Sequence, residues 1–551
     1  ETHRFIIPMG LFVIALLLLF LATPLRLNLP AEVTPSLKAT WAITTSTLSD
    51  TSALFGSGPG TFIYDYAKYH SVDVNATQFW NVRFDRGSNH FLTMLASFGV
   101  LGVLLWVLFV AMLGAQVLGR LVKEKDHTKW KLSFALFAPW AMLVFASFLY
   151  SSNFTLTFLL FVFAALLGTQ AMRKVSDKTV SESPRLGLLF SFLFVLVAVV
   201  VVSVLFVTGQ RYAAEVSFAK AVKLDVGGGD LTEIVQKLDR AATLNRYNDI
   251  YYRNLSQALL MRVSEELNAE GEMTQDRADL IRALTAASIN AAKRSTDLGP
   301  ANVLNWKVRG AIYREVIAFI GGADQFAKES FEKATELEPV SPENYTELGR
   351  VYIVIAETQR QLTGSTDQET ADAATAAVEE NLKAAEDALN KAIELKADYA
   401  PAHYQLAIVF ERQGRLDEAV SKMESVALYN RYDVGVFFQL GLLYLRQGDN
   451  EQAQAALEYT VNLVPSYSNA RWFLASIYEL NGDVNRAIEQ VEKVLELNPD
   501  NELVKTRLDK LKSGVTSEEI PQPVEAGEQT ATDTSEGTVV AEPAEEGVTT
   551  E

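Results

Sequence analysis

Cysteine is absent from the 551 residues, which excludes a disulfide framework, thiolate metal ligation and a cysteine nucleophile. Histidine is scarce, with His3, His70, His90, His127 and His403 scattered along the chain. None falls in the HExxH spacing that puts two imidazoles on one helix face, so no metal and no other cofactor is expected. Basic residues are outnumbered, 49 Lys and Arg against 67 Asp and Glu for a net charge of −18. Nucleic acid is therefore not an expected partner, because phosphate contacts need clustered Lys and Arg.

Long apolar runs, by contrast, are plentiful, and 49% of the residues are hydrophobic. The excess sits in five nearly uncharged runs, about 5–21, 91–118, 132–150, 154–172 and 186–207. About 20 apolar residues in a helix cross the roughly 30 Å hydrocarbon core of a bilayer, so each run is expected to be a transmembrane helix. Charge divides at the same place: residues 1–208 carry 15 basic and 10 acidic residues, and residues 209–551 carry 34 and 57. The loop between the second and third runs holds Arg120, Lys123, Lys125, Lys129 and Lys131, and that between the fourth and fifth holds Arg173, Lys174, Lys178 and Arg185. The positive-inside rule makes both cytoplasmic. Parity then puts the long loop 22–89, the turn Ser151-Ser152-Asn153 and everything after Val207 on the outer side. The expected location is the cytoplasmic (plasma) membrane, multi-pass, with the second half extracytoplasmic. Because residue 1 is Glu and the first run follows almost at once, an upstream portion of the protein is also expected.

From about Arg211 the pattern turns amphipathic and repeats at an interval of 34. Leu406, Leu440 and Leu474 are in register, as are Ala407, Gly441 and Ala475; Phe410, Tyr444 and Tyr478; Gly414, Gly448 and Gly482; and Ala419, Ala453 and Ala487. The set resembles the tetratricopeptide repeat (TPR), in which small residues let paired helices approach and a proline such as Pro465 or Pro499 ends the second helix. Trp306, Gly310 and Tyr313, with Ala327, Phe331, Ala334 and Pro339, outline an earlier unit, and Tyr345, Leu348, Gly349 and Tyr352 open the next. That unit resumes at Ala385 and Leu389 after a polar stretch, 363–379, that either lengthens its helices or forms a loop. About seven repeats are expected over 209–511. The remainder, 512–551, holds ten acidic and almost no basic residues and is expected to be a disordered acidic tail. The fold class is thus all-α: a transmembrane helical domain over 1–208, an α-solenoid of TPR-like repeats, and the tail. Such an array offers a surface for protein partners, not a catalytic centre, and His403 is expected on its surface or ligand face.

The loop 22–89 is far longer than a simple connection. Within it, Leu54-Phe55-Gly56-Ser57-Gly58-Pro59-Gly60-Thr61-Phe62 is glycine-rich but lacks the Gly-Lys-Ser/Thr ending of a nucleotide-binding P-loop. It reads either as a turn needing φ > 0 or as an anion-cradling nest. Further on, Arg83 and Arg86 stand at the outer interface, where a guanidinium can grip a lipid diphosphate bidentately. Interfacial anchoring, or pairing with Asp85 or Asp73, is the equal alternative. Ser88 or Asn89 would cap the next helix.

In order, the G-x-G-x-x-x-F element, the long outer loop, Asn89-x-Phe91-Leu92 and the following Gly99-x-x-Gly102 resemble the O-antigen ligase and polymerase family of membrane glycosyltransferases, over about residues 5–208. The resemblance implies transfer of a glycan from a polyprenyl-diphosphate carrier to an acceptor on the outer membrane face, without metal or nucleotide sugar. It implies that Arg83 and Arg86 hold the diphosphate, that Asn89 belongs to the substrate site, and that a histidine assists the acceptor hydroxyl. The family's histidine position falls on Ser88, a departure, since a serine hydroxyl is no base near neutral pH. His90 is the nearest substitute, although on a helix it points about 200° away from residue 88 at roughly 3.6 residues per turn. Either His90 takes the role through a local backbone shift, or a carboxylate such as Asp50, Asp65 or Asp85 does, or the member is catalytically weakened. The expected partners are the polyprenyl-diphosphate-linked glycan, membrane lipid, and proteins bound by the repeats. The alternative is a non-catalytic membrane-anchored TPR scaffold for envelope polysaccharide or export machinery.

Overall fold

The computed structural model describes residues 33–171, 184–269, 271–499 and 501–514, together with Gly10 and Val13. The apolar run at 5–21 and the tail beyond 514 lie outside the described residues. Twenty α-helices and one 3-10 turn, with no strand, make up what is described. The chain forms two compact units: one from the residues up to Tyr66 and Arg83–Val175, the other from Ala67–Val82 and everything from Ser176 onward.

In the first unit α1 (Leu37–Asp50) and the start of α2 (Phe62–Tyr69), whose last residues fall in the second unit, precede three apolar helices, α3 (His90–Lys123), α4 (His127–Leu149) and α5 (Phe154–Ala171). Each apolar helix starts on a polar cap or turn. Asn89 accepts the Leu92 amide at 2.9 Å, Asp126 accepts that of Thr128 at 2.8 Å, and Asn153 that of Leu156 at 3.0 Å. These caps satisfy amides that have no partner within the helix. Trp140 of α4 is buried in one core cluster with Leu113, Val117, Leu121, Leu160 and Leu167. The opposite faces expose Leu104, Leu105, Leu108, Phe145 and Phe158, which in water would be a large unburied apolar surface. α3 and α4 are long and apolar enough to cross a membrane; α5 is shorter.

The second unit opens with α6 (Pro184–Val226), 43 residues long, whose apolar stretch is also long enough to cross a membrane and has none of its residues buried. The helix does not end where the apolar stretch does. Ala214 and Ala221 pack onto α7 (Leu231–Leu244), and the Ser217 hydroxyl donates to the Lys237 carbonyl at 2.8 Å. One unbroken helix is therefore both the apolar stretch and the opening helix of the array, and position 208 falls inside it.

Helix pairs follow at α8 and α9 (Asp249–Asn268, Gln275–Leu298), α10 and α11 (Val303–Glu315, Ala323–Leu337), and α12 and α13 (Pro342–Arg360, Gln368–Leu395). The last three pairs are α14 and α15 (Ala400–Arg412, Leu416–Tyr429), α16 and α17 (Val434–Gln447, Asn450–Leu463), and α18 and α19 (Ser468–Leu480, Val484–Leu497). The short α20 (Glu502–Lys512) closes the array. The registered residues explain the pairing. Leu406, Ala407, Leu474 and Ala475 are fully buried, and a Cβ on Gly441 would lie 2.8 Å from Leu457 Cγ, so only glycine lets α16 approach α17 so closely. Gly414, Gly448 and Gly482 turn each first helix into its second at φ of 78°, 85° and 75°, in the left-handed region. Neighbouring units are tied by the same periodicity. Tyr444 donates to Glu424 at 2.6 Å and Tyr478 to Glu458 at 2.8 Å. Burial first, and then the glutamate, pushes the Tyr478 hydroxyl up to about 12. The polar stretch 363–379 lengthens a helix: α13 runs 28 residues, with Ala371, Ala374, Val378 and Leu382 buried at helical spacing.

Candidate functional site

Two glycine motifs that stand some forty positions apart in the sequence meet in the first unit. α3 breaks at Gly99, which adopts φ 65° and ψ −170° inside the helix. Such a break strands backbone groups on both sides, and a stranded group away from water is costly. The glycine-rich loop takes up each of them. The Ser57 amide donates to the Ala96 carbonyl at 3.1 Å and the Gly58 amide to Ser97 at 2.8 Å. In return the Val100 amide donates to Ala53 at 2.9 Å and the Leu101 amide to Leu54 at 3.1 Å. The approach tolerates no side chain: a Cβ on Gly56 would lie 2.4 Å from the Ala96 carbonyl oxygen, and one on Gly99 2.5 Å from that of Leu54. Of the two readings left open for the loop, the turn with φ > 0 is what forms, at Gly56, Gly58 and Gly60. The Ser57 hydroxyl donates to Asp65 at 2.6 Å, and Thr61 donates to the Gly58 carbonyl at 2.6 Å, locking the turn from inside.

The Arg-Asn-His segment follows beside it, and its side chains diverge. Arg86 forks onto Asp85, with Nε at 2.8 Å and Nη2 at 3.0 Å. Arg83 is half-buried on the same stretch. Asn89 is buried as the cap of α3. His90 turns to a cavity of about 20 Å³, room for about one water, lined with Ser147, Tyr150, Ser151, Thr157 and Leu160 of the α4–α5 hairpin. Its own amide donates to the Tyr150 carbonyl at 3.0 Å. Ser88 Oγ, at the family's histidine position, is buried with no hydrogen-bond partner. Of the three candidate carboxylates, Asp65 is buried in the glycine turn, Asp85 is exposed and paired with Arg86, and Asp50 ends α1.

Sequence reasoning missed α1. Thr40 is fully buried and its Oγ1 accepts the Ser88 amide at 2.9 Å, while Thr44 reaches the Leu92 carbonyl at 3.4 Å. The close seat of Gly87 against Thr40, where a Cβ would meet Cγ2 at 2.3 Å, holds the segment in place. The usable signal was the Ser36 cap followed by threonines at helical spacing.

In the array, His403 is buried, not on a surface, and its Nε2 lies 2.8 Å from the Ala397 carbonyl, so it braces the turn between two repeats. A pocket of about 390 Å³ in the last units is lined with Glu458, Arg471, Tyr478, Gln490 and Lys493. The Arg471 guanidinium is held there by the Pro465 carbonyl at 2.7 Å and Gln490 at 2.6 Å, and burial lowers its pKa. Among the described residues no cluster of His, Asp and Glu is placed to hold a metal ion.

Residues 438–502 match a tetratricopeptide repeat family model. Solved structures similar to the chain include a tetratricopeptide repeat protein from Parabacteroides merdae, 17% identical with a TM-score of 0.36, covering 55% of this chain and 99% of that one. The type IV pilus biogenesis factor PilW is 16% identical with a TM-score of 0.32, over 46% of this chain and 97% of its own. YrrB, described as a TPR protein with an unusual peptide-binding site, is 19% identical with a TM-score of 0.27, over 42% and 95%. No curated protein matches the chain. The registered 34-residue pattern, the helix pairs it builds and the family match agree that the second unit holds a tetratricopeptide repeat domain, a fold capable of protein–protein interaction.

Proposed function

We propose that the chain is a membrane glycosyltransferase of the O-antigen ligase and polymerase type, acting at the outer face of the cytoplasmic membrane, with its repeat array docking protein partners there. The observation that carries this reading is the union of the glycine-rich loop with the break at Gly99, since it joins two motifs of the resemblance into one built element. Irregular backbone within an apolar helix is kept where it is buried in protein or lines a cavity, as at the substrate sites of membrane proteins with broken helices. In the reaction, an acceptor hydroxyl oxygen attacks the anomeric carbon and the bond from that carbon to the diphosphate oxygen breaks. Polyprenyl diphosphate leaves with the bonding electrons, and its charge is met by Arg83 and by Arg86, which exchanges Asp85 for the stronger anion. His90 takes the hydroxyl proton, and Asn89 fixes the start of the helix that carries it.

The second reading is a non-catalytic membrane-anchored scaffold. It is favoured by the pairing of Arg86 with Asp85, by serine at position 88, and by α6, which anchors the array without a flexible link.

Substituting His90→Ala and, separately, Arg86→Ala distinguishes the two. On the transferase reading each lowers surface glycan by about 10²-fold and raises the carrier-linked pool, with the protein still in the membrane. Unchanged surface glycan and carrier pools in both variants would leave the scaffold.

A further inference from the structure

The stretch Ala67–Val82 leaves the first unit after Tyr66, rejoins it at Arg83, and in between belongs to the array. Its docking is specific. Asn75 is 2% exposed, and its Nδ2 donates both to the Val340 carbonyl at 2.7 Å and to the Leu395 carbonyl at 3.1 Å. Those two carbonyls belong to successive inter-repeat turns, one before α12 and one before α14, so a single side chain bridges two junctions of the solenoid. Lys396 answers from the array, donating from Nζ to the Asn75 carbonyl at 3.1 Å. The same ammonium lies 5.7 Å from the centre of the Trp80 ring, which packs edge-on against Tyr399 at 5.4 Å. Ala67 is buried against the α10–α11 pair. These contacts lie along the turns that join repeats, and they read a pattern: an asparagine, then an aromatic five residues later.

From this we propose that the inter-repeat turns 338–341 and 395–399 form a peptide-docking edge of the array, and that segment 67–82 is its resident, displaceable ligand. Displaceability follows from the chemistry of the anchor. Asn75 Oδ1 is buried with no hydrogen-bond partner, so docking strips one polar atom of water and returns nothing for it. Because the ligand is tethered at both ends, its effective concentration at the edge is high, and a free peptide competes only when the tethered one is weakened. Docking and release need no glycan transfer, so the claim stands apart from the proposed activity.

The test is anisotropy of a fluorescein-labelled synthetic peptide of residues 67–82 with the detergent-solubilised full chain. The intact chain is expected to exclude the peptide, because its edge is occupied. The Asn75→Ala/Trp80→Ala double variant of the full chain, which empties the edge, is expected to bind it at least 10-fold more tightly than the intact chain. Binding is expected to fall 10-fold when the peptide itself carries Asn75→Ala, or when Lys396→Ala is added to the chain. A second chain, with 67–82 replaced by a Gly/Ser linker of equal length, is expected to behave as the double variant does. Absence of binding to both emptied chains, or equal binding to the intact chain, or indifference to Asn75→Ala in the peptide, would overturn the proposal.

Discussion

Gly99→Val is expected to destabilise the first unit by about 4 kcal/mol or more, the range in which single substitutions prevent folding. Two penalties add. Valine, branched at Cβ, is an outlier at the positive φ of 65° found there. Its Cβ would also stand 2.5 Å from the Leu54 carbonyl, which is held by the Leu101 amide and cannot retreat. Relieving the clash means withdrawing the glycine-rich loop, and that strands the four backbone groups it satisfies. Gly119→Ala on the same helix is the control, because a Cβ there meets nothing within 4 Å and the change should alter stability by no more than about 0.5 kcal/mol. Thermal unfolding of the detergent-solubilised protein reads both. Equal melting of the two variants would mean that the loop does not close on the helix break.

Glu479→Ala is expected to cost the end of the array about 3–5 kcal/mol, because it leaves the Arg507 guanidinium buried without its counter-charge. Glu479 is 2% exposed and Arg507 11%; Nε donates to the carboxylate at 2.9 Å, Nη1 to the Trp472 carbonyl at 3.1 Å, and the guanidinium stacks 4.2 Å from the Trp472 ring. Burial already lowers the Arg507 pKa, with Glu479 opposing it, so removing the carboxylate takes away the charge that offsets burial. The exposed pair Lys493–Glu489 offers the contrast, and Glu489→Ala should cost no more than about 1 kcal/mol. Replacing both partners, as Glu479→Leu/Arg507→Met, should recover most of the loss, since it also removes the orphaned charge. Amide exchange across α18 to α20 measures all three. A Glu479→Ala variant protected like the wild type would show that α20 is not held by this pair.

The array was legible because its pattern is redundant: five registered positions recur at 34, and each is a packing necessity, as the approach of Gly441 to Leu457 and the left-handed turns at Gly414, Gly448 and Gly482 demonstrate. The apolar helices were legible as helices for a comparable reason, since a long uncharged run such as 186–207 forms a helix long and apolar enough to cross a membrane. What the pattern could not reveal was where α6 stops, because its apolar part and its repeat part share the helical period. α1 escaped because its buried face carries Thr40, Thr44 and Thr47 beside the single apolar Ile43 while Trp41 and Leu37 face outward, which blurs the usual amphipathic signal. The candidate site was legible only in part. Residues 83–90 were singled out by type and spacing, but spacing does not say that Arg86 would fork onto its neighbour, or that His90 would turn to the α4–α5 hairpin. Nor does local sequence tell that Asn75 bridges turns some 265 and 320 positions away; such contacts are set by the path of the whole solenoid.

Turnover itself is the measurement that bears most directly on the proposed activity. The full chain, reconstituted in lipid nanodiscs with a glycan on a polyprenyl-diphosphate carrier and an acceptor glycan, should release free polyprenyl diphosphate in step with acceptor elongation. Release should fall by about 10²-fold in His90→Ala and vanish in Gly99→Val. Persistent carrier-linked glycan with the wild-type chain, in a preparation that still excludes the 67–82 peptide as described, would contradict the transferase reading and leave a membrane-anchored scaffold.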